Sequence, residues 1–336
     1  MKFTHALLAV VVGLFTVGAG AQPLPLTLQP KKASERVYYF EGEPALASSA
    51  NRAFNSNASF IMTNDGVVVF DALGTPALGA AMKAAIASVT RQPIRLVIVS
   101  HFHADHFYGL QALVGPGVEV WAHANGRETL GSPVAQDRLE QRRRDLWPDV
   151  DQDTQLVGAT RWLDFASSKE MPFDRGGVRF RLIDVSGAHS PEDLMLWVET
   201  DRVLLAGDLY FSARIPFVGD ADGKAWLAAM DRIGPLKPAM VVPGHGRASG
   251  NPQPDIDLTR EYLRFLREQM GKAARELVPF DEAYNSVDWS RYARVPARSI
   301  PRPGYSSVRG CPSRSSRKSR FGEKFATRAV PKDGCT

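Results

Sequence analysis

The chain has 336 residues, 44% of them hydrophobic and 23% charged, which is enough for one large domain with a substantial core. The net charge of +5 sits in the C-terminal tail, where residues 298–336 carry ten Lys or Arg against two acids, so the net-negative body gives no support for a nucleic-acid groove. Both cysteines, Cys311 and Cys335, lie in that tail, which excludes thiolate as a metal ligand in the body.

Residues 1–21 read as an export signal. Lys2 gives a basic start, the apolar run is too short to span a bilayer comfortably, and "AGA" precedes Gln22. A periplasmic or secreted protein without a later membrane span is expected; an uncleaved anchor is the alternative. The composition then divides the chain into a domain over 22–297 and a basic tail over 298–336 that cannot offset its ordering entropy. The abrupt change at the boundary is what a shifted reading frame would do, or an ordinary tail that binds an acidic surface.

Residues 36–42 have strand composition, and 59–72 place two apolar runs around Asn64-Asp65-Gly66, a hairpin signal. Residues 76–89 read as a helix opened by Pro76, and 94–100 as a buried strand. A helix-like piece over 107–114 and a strand over 118–123 follow. Residues 125–170 are charged and weakly periodic, as in a cover or an insertion, and the basic run 142–144 reads as a solvated helix face. Strands are expected at 178–185, 194–200, 202–208 and 239–245, and a helix at 223–236. Over 255–277, Leu258, Tyr262, Phe265, Leu266, Met270 and Ala273 form one stripe of a long amphipathic helix. Hairpins mixed with strand–helix units suggest an α/β fold of stacked sheets covered by helices.

The chain holds seven histidines, and three of them, His101, His103 and His106, fall with Asp105 in "HFHADH" just past a buried strand. Two residues apart on an extended end, His101 and His103 can point to one side. His189 lies between two strands; Asp208 and His245 each follow an apolar strand, with Gly244 and Gly246 allowing close backbone approach. Neutral imidazoles and carboxylates are what zinc takes when thiolate is absent. His123 is left over and reads as a surface or helix-start residue. Tyr210 and Phe211 could line the pocket or pack in the core.

This set resembles the metallo-β-lactamase superfamily over roughly residues 36–275, through a His-x-His-x-Asp-His segment with later His, Asp and His. The resemblance implies an αββα sandwich with two stacked mixed sheets. It implies that His101, His103 and His189 hold one ion, that Asp105, His106 and His245 hold a second, and that Asp208 bridges them. Two Zn2+ per chain are expected, with iron or manganese as substitutes. Two ions about 3.5–4 Å apart can hold a hydroxide for attack on an ester, thioester, lactone or amide, with Asp105 and Asp208 as the catalytic carboxylates. Residues 204–246 look most like the exported quinoprotein-relay and sulfur-oxidation-associated zinc hydrolases.

Other readings are β-lactamase activity, a mononuclear-iron persulfide dioxygenase, or a non-catalytic accessory protein for periplasmic quinoprotein or sulfur oxidation. Asp208 stands where one lactamase subclass has cysteine, and no "GCGR"-like segment follows it, which disfavours that subclass, a glyoxalase II-like thioesterase and the dioxygenase. Seven candidate ligands exceed what a structural zinc needs. The expected partner is a small-molecule substrate, not a nucleic acid.

Overall fold

Asn64 and Asp65 turn the chain so that β3 (Ala58–Thr63) and β4 (Gly66–Phe70) pair antiparallel, as the sequence signal implies. The structure is a computed structural model that describes residues 26–295. The export segment and the tail with Cys311 and Cys335 lie outside the described residues. Ahead of the hairpin run β1 (Lys31–Lys32) and β2 (Val37–Phe40). After it come helix α1 (Pro76–Val89), β5 (Ile94–Ile98), α2 (Ala104–Phe107), α3 (Leu110–Leu113) and β6 (Glu119–His123). Helices α4 (Gly126–Gly131) and α5 (Pro133–Asp145) and strand β7 (Arg161–Leu163) complete the first half.

The second half opens with β8 (Glu170–Arg175), β9 (Val178–Asp184), β10 (Leu194–Val198) and β11 (Val203–Leu205). It continues through α6 (Gly223–Met230), α7 (Ile233–Leu236), β12 (Met240–Val242), α8 (Gln253–Arg275) and α9 (Phe280–Ser286). The first sheet has seven strands in the order β1 to β7, antiparallel up to β4 and parallel from β4 to β7. The second has five, in the order β12-β11-β10-β9-β8, with β11 and β12 parallel.

One strand shows how the layers form. Side chains alternate across a strand, so Val67 and Val69 of β4 enter an outer core with Leu78, Met82 and Ile86 of α1, while Val68 and Phe70 enter the core between the sheets. There they meet Leu182, Leu196 and Leu205 of the second sheet. That sheet's other face packs Met195, Leu204 and Val241 against Trp226 of α6 and Ile256 and Leu263 of α8. The result is the expected αββα sandwich, with both sheets mixed. No helix among the described residues is long and apolar enough to cross a membrane.

Two elements differ in detail from the sequence reading. The piece at 107–114 is two short helices, because Gly109 turns to donate to the Leu73 carbonyl and packs on Gly79, where a Cβ would stand 2.1 Å from the Gly109 oxygen. The helix at 223–236 breaks into α6 and α7, since Pro235 lacks an N–H and its ring crowds the carbonyl of Asp231. The stripe on α8 keeps to one side, where Leu258, Tyr262, Phe265, Leu266, Met270 and Ala273 pack around Trp289 and Tyr292, while Ile256 and Leu263 beside it reach the sheet side. The weakly periodic 125–170 segment contains α4, α5 and β7, and α5 buries only Leu139, so little apolar rhythm marked it.

Candidate metal centre

Strand ends bring the polar side chains together. Strand β5 runs straight into His101 and His103, and Asp105 and His106 follow on α2. Because β11 and β12 pair parallel with Leu205 opposite Val242, three further residues on each chain carry Asp208 and His245 to the same edge. His189 arrives on the β9–β10 connection, which is tied to the histidine segment by a bond from the Leu194 amide to the Ser100 carbonyl, 2.9 Å. A Cβ at position 244 would lie 1.9 Å from Asp208 Oδ1, so glycine leaves room for the carboxylate.

The structure gathers ligand atoms of all seven side chains into two groups, His101, His103, His189 and Asp208, and Asp105, His106 and His245. In the first, His103 Nδ1 is 3.0 Å from His101 Nε2 and 2.8 Å from His189 Nε2. Asp208 Oδ2 is 3.2 Å from His189 Nε2 and 3.8 Å from His101 Nε2. In the second, Asp105 Oδ2 is 3.4 Å from His245 Nε2 and 4.0 Å from His106 Nε2. Asp208 reaches this group as well, with Oδ1 3.1 Å from His106 Nε2 and Oδ2 3.3 Å from His245 Nε2. These edges scatter around the roughly 3.3 Å expected between ligands of a tetrahedral ion with bonds of about 2.0–2.1 Å.

The surrounding groups decide which nitrogen of each ring carries its proton. Asp71 accepts from the Ser100 amide at 2.7 Å and from Ser100 Oγ at 2.8 Å. Its Oδ2 is also 2.9 Å from His106 Nδ1, which must be the donor there. Since Ser100 Oγ gives its proton to Asp71, it accepts from His101 Nδ1 at 2.9 Å. Asp220 Oδ2 accepts from His103 Nε2 at 3.0 Å. His245 Nδ1 lies between an acceptor and a donor, the Asn55 carbonyl at 2.5 Å and Arg214 Nη1 at 2.8 Å. The His101, His103 and His106 rings therefore turn a lone pair inward, towards other ligand atoms and two carboxylates. His106 Nε2 and Asp208 Oδ1 are buried without a hydrogen-bond partner. Convergent buried lone pairs are costly unless cations sit among them, and the donor set, all imidazole and carboxylate, fits divalent metal.

The electrostatics of His101, His189 and Asp208 agree. Burial, joined by neighbouring rings, drives the His101 pKa well below its usual value and takes His189 down to about 3, so both rings are neutral and able to ligate. Burial on its own would raise Asp208, but His245, His106 and His189 overcome it and hold the carboxyl well below its usual range. His106 runs the other way: against burial, Asp208, Asp71 and Asp105 push it well up.

Several residues outside the seven complete the site. Asp71, Asp220 and Asn55 carry no motif; Asp71 alone had a usable signal, since it follows an apolar strand as Asp208 does. Phe211 lies against the ligands, its ring stacked on His245 with centroids 4.9 Å apart, whereas Tyr210 is core. His123 is not at the surface as expected; it is buried, stacked on Phe165 and 3.6 Å from Asp184, outside both metal groups.

The centre meets solvent mainly at Asp105 and His103, whose side chains are 18% and 11% exposed. The half-exposed Phe217 ring lies 5.5 Å from His103. Arg138 of α5 reaches Asp220 at 3.3 Å, while Arg142 and Leu146 close over Asp105 with Ala47 and Ala53 of the β2–β3 connection, leaving a cleft with no room for a water. The basic run is thus not uniformly solvated: Arg142 faces this cleft, Arg143 binds the Asp151 and Thr154 carbonyls, and Arg144 is exposed.

A family profile described as the Metallo-beta-lactamase superfamily matches residues 51–245, more than half of the chain. The chain belongs to this superfamily. Within it, the chain is similar to a linear primary-alkylsulfatase from Pseudomonas sp., 20% identical over 254 residues that cover 66% of this chain and 48% of the relative. It therefore spans about half the length of the curated relative it matches. Among solved structures, the stereoselective inverting sec-alkylsulfatase Pisa1 from Pseudomonas sp. superposes with a TM-score of 0.59 at 18% identity, over 78% of this chain and 45% of that one. The metallo-beta-lactamase FIM-1 from Pseudomonas aeruginosa, in its mono-zinc form, gives 0.55 at 18% identity, over 73% of this chain and 98% of that one. At these identities the two structures share the superfamily fold with this chain.

Proposed function

We propose that the protein is a dinuclear zinc hydrolase of ester-type bonds, with alkyl sulfate esters as the first substrate class to test. The observation that carries the reading is the convergence of lone pairs from seven side chains onto two adjacent positions that share Asp208. When bound, such ions supply water acidified towards neutrality and a Lewis acid for the substrate oxygen. His101, His103 and His189 would hold one ion, and Asp105, His106 and His245 the other, with Asp208 between them. Asp71 and Asp220 keep the outer nitrogens of His106 and His103 protonated, so that the inner ones remain free to ligate. Asp105, the more open carboxylate, is placed to orient the attacking water.

Sulfate esters stand first because alkylsulfatase is what two similar proteins are named for. Thioesters, lactones, amides and β-lactams belong to the same reaction type. The likeness of residues 204–246 to exported quinoprotein-relay and sulfur-oxidation-associated hydrolases, with the export-like start, favours a periplasmic or secreted setting for this chemistry.

The test is to assay zinc-loaded protein against dodecyl sulfate, thioesters, lactones, phosphoesters and cephalosporins. Hydrolysis that disappears with a chelator and returns with zinc is expected. No turnover of any member with two zincs bound would instead support the accessory role, and one iron per chain would support oxygen chemistry.

A further inference from the structure

We infer that Asn55 makes the second metal position able to bind: it is a positioning residue that sets Asp105 and His245 at a fixed distance from each other. The inference rests on the two-position reading above. Asn55 belongs to the β2–β3 connection, far in sequence from both ligands, and is only 4% exposed. Its side-chain Nδ2 donates to Asp105 Oδ2 at 3.0 Å. Its backbone carbonyl lies 2.5 Å from His245 Nδ1, a nitrogen that Arg214 Nη1 also approaches to 2.8 Å. One residue thereby holds two of the three ligands of the second group, whose facing atoms, Asp105 Oδ2 and His245 Nε2, are 3.4 Å apart.

The amide orientation follows from chemistry. Turned over, Asn55 would set its own oxygen against the Asp105 carboxylate. Oriented as it is, Oδ1 is left buried without a partner. Such a group is costly, a cost opposed by the charge-assisted bond that Nδ2 makes.

The neighbours of Asn55 reinforce the same position. Ser56 Oγ donates to the Asp105 carbonyl. The Asn57 amide donates to the Gly244 carbonyl at 2.7 Å, and Asn57 Nδ2 donates to the carbonyls of Pro243 at 2.8 Å and Gly246 at 2.7 Å, on either side of His245. The hydrogen bonds of residues 55–57 reach none of His101, His103 and His189 among the described residues. His101 and His103 lean instead on Ser100 and Asp220. The second position thus depends on how the β2–β3 connection is ordered, and the first does not. An ion can leave the second position while the first keeps its own.

Metal-depleted protein titrated with cobalt(II), followed by visible d–d absorption and metal analysis, tests this without any substrate. Wild type is expected to take two ions per chain. Asn55→Leu has similar volume and no donor; it should keep first-position affinity and weaken the second by about 10–100-fold, the usual effect of losing an outer partner. Asn55→Ser keeps a short donor and should fall between. Unchanged affinity at both positions in Asn55→Leu overturns the inference, and so does equal weakening at both, which would mark a general packing defect. A wild type that takes one ion overturns the two-position reading and this inference with it.

Discussion

His189 and His245 are both delivered by the second sheet, yet the protein holds the two rings by different means. The outer nitrogen of His245 sits between the Asn55 carbonyl at 2.5 Å and Arg214 Nη1 at 2.8 Å. His189 Nδ1 is buried and has no hydrogen-bond partner. Its ring is wedged instead by Trp226 at 5.0 Å, Phe211 at 5.9 Å and Phe217 at 6.3 Å. Packing can fix where an imidazole lies, but an acceptor also fixes which nitrogen is free. The outer nitrogen of His189 thus has apolar packing alone, whereas His245 has polar partners at its outer nitrogen in addition to the stacked Phe211 ring.

The largest effect should come from the one residue common to both groups. Asp208→Ala is expected to reduce metal content at both positions, read by metal analysis, and to lower turnover on the order of 1,000-fold or more. Next, His103→Ala and His245→Ala should each lose one ion, the first from the His101 side and the second from the Asp105 side. Loss of both ions in either variant would break the distinction between the groups. Asp71→Asn follows, because Asp71 serves His106 directly and His101 through Ser100. It should weaken both positions by about 10–100-fold in a competition titration.

Trp226→Leu tests wedging against clamping. Trp226 is fully buried and donates to the Leu209 carbonyl at 2.6 Å. The change should cost about 3 kcal/mol, visible as a lower Tm, and weaken only the first position. The smallest effect belongs to a nearby cluster that touches neither group. Asp184 would be raised by burial, but bonds from Lys169 and Ser186 hold it below the usual carboxylate range. A depressed acid stabilises above its unfolded pKa, and that contribution disappears as pH falls through the folded value. Asp184→Asn should therefore cost about 1 kcal/mol at pH 7. In urea unfolding of the metal-depleted protein, that difference should shrink steadily as the pH is lowered into the acid range.

The seven gathered side chains are those that the sequence marks, because their residue types and strand-end placement are both readable locally. The fold was readable for the same reason: the Asn64-Asp65-Gly66 turn marks the β3–β4 hairpin, an apolar run marks β5 and Pro76 marks the start of α1. The outer shell was not. Asp220 meets His103 across 117 positions, and Asn55 meets Asp105 across 50 and His245 across 190. Asn and Asp are ordinary loop residues, and nothing near them in the chain specifies such partners. His123 was misread because its companions, Phe165 and Asp184, come from later strands and loops.

The most direct test is a crystal structure of the zinc-loaded protein with anomalous difference maps at the zinc edge. Two peaks about 3.5–4 Å apart are expected, one among His101, His103 and His189, the other among Asp105, His106 and His245, both in contact with Asp208. A single peak at saturating zinc, or peaks away from Asp208, would contradict the dinuclear centre.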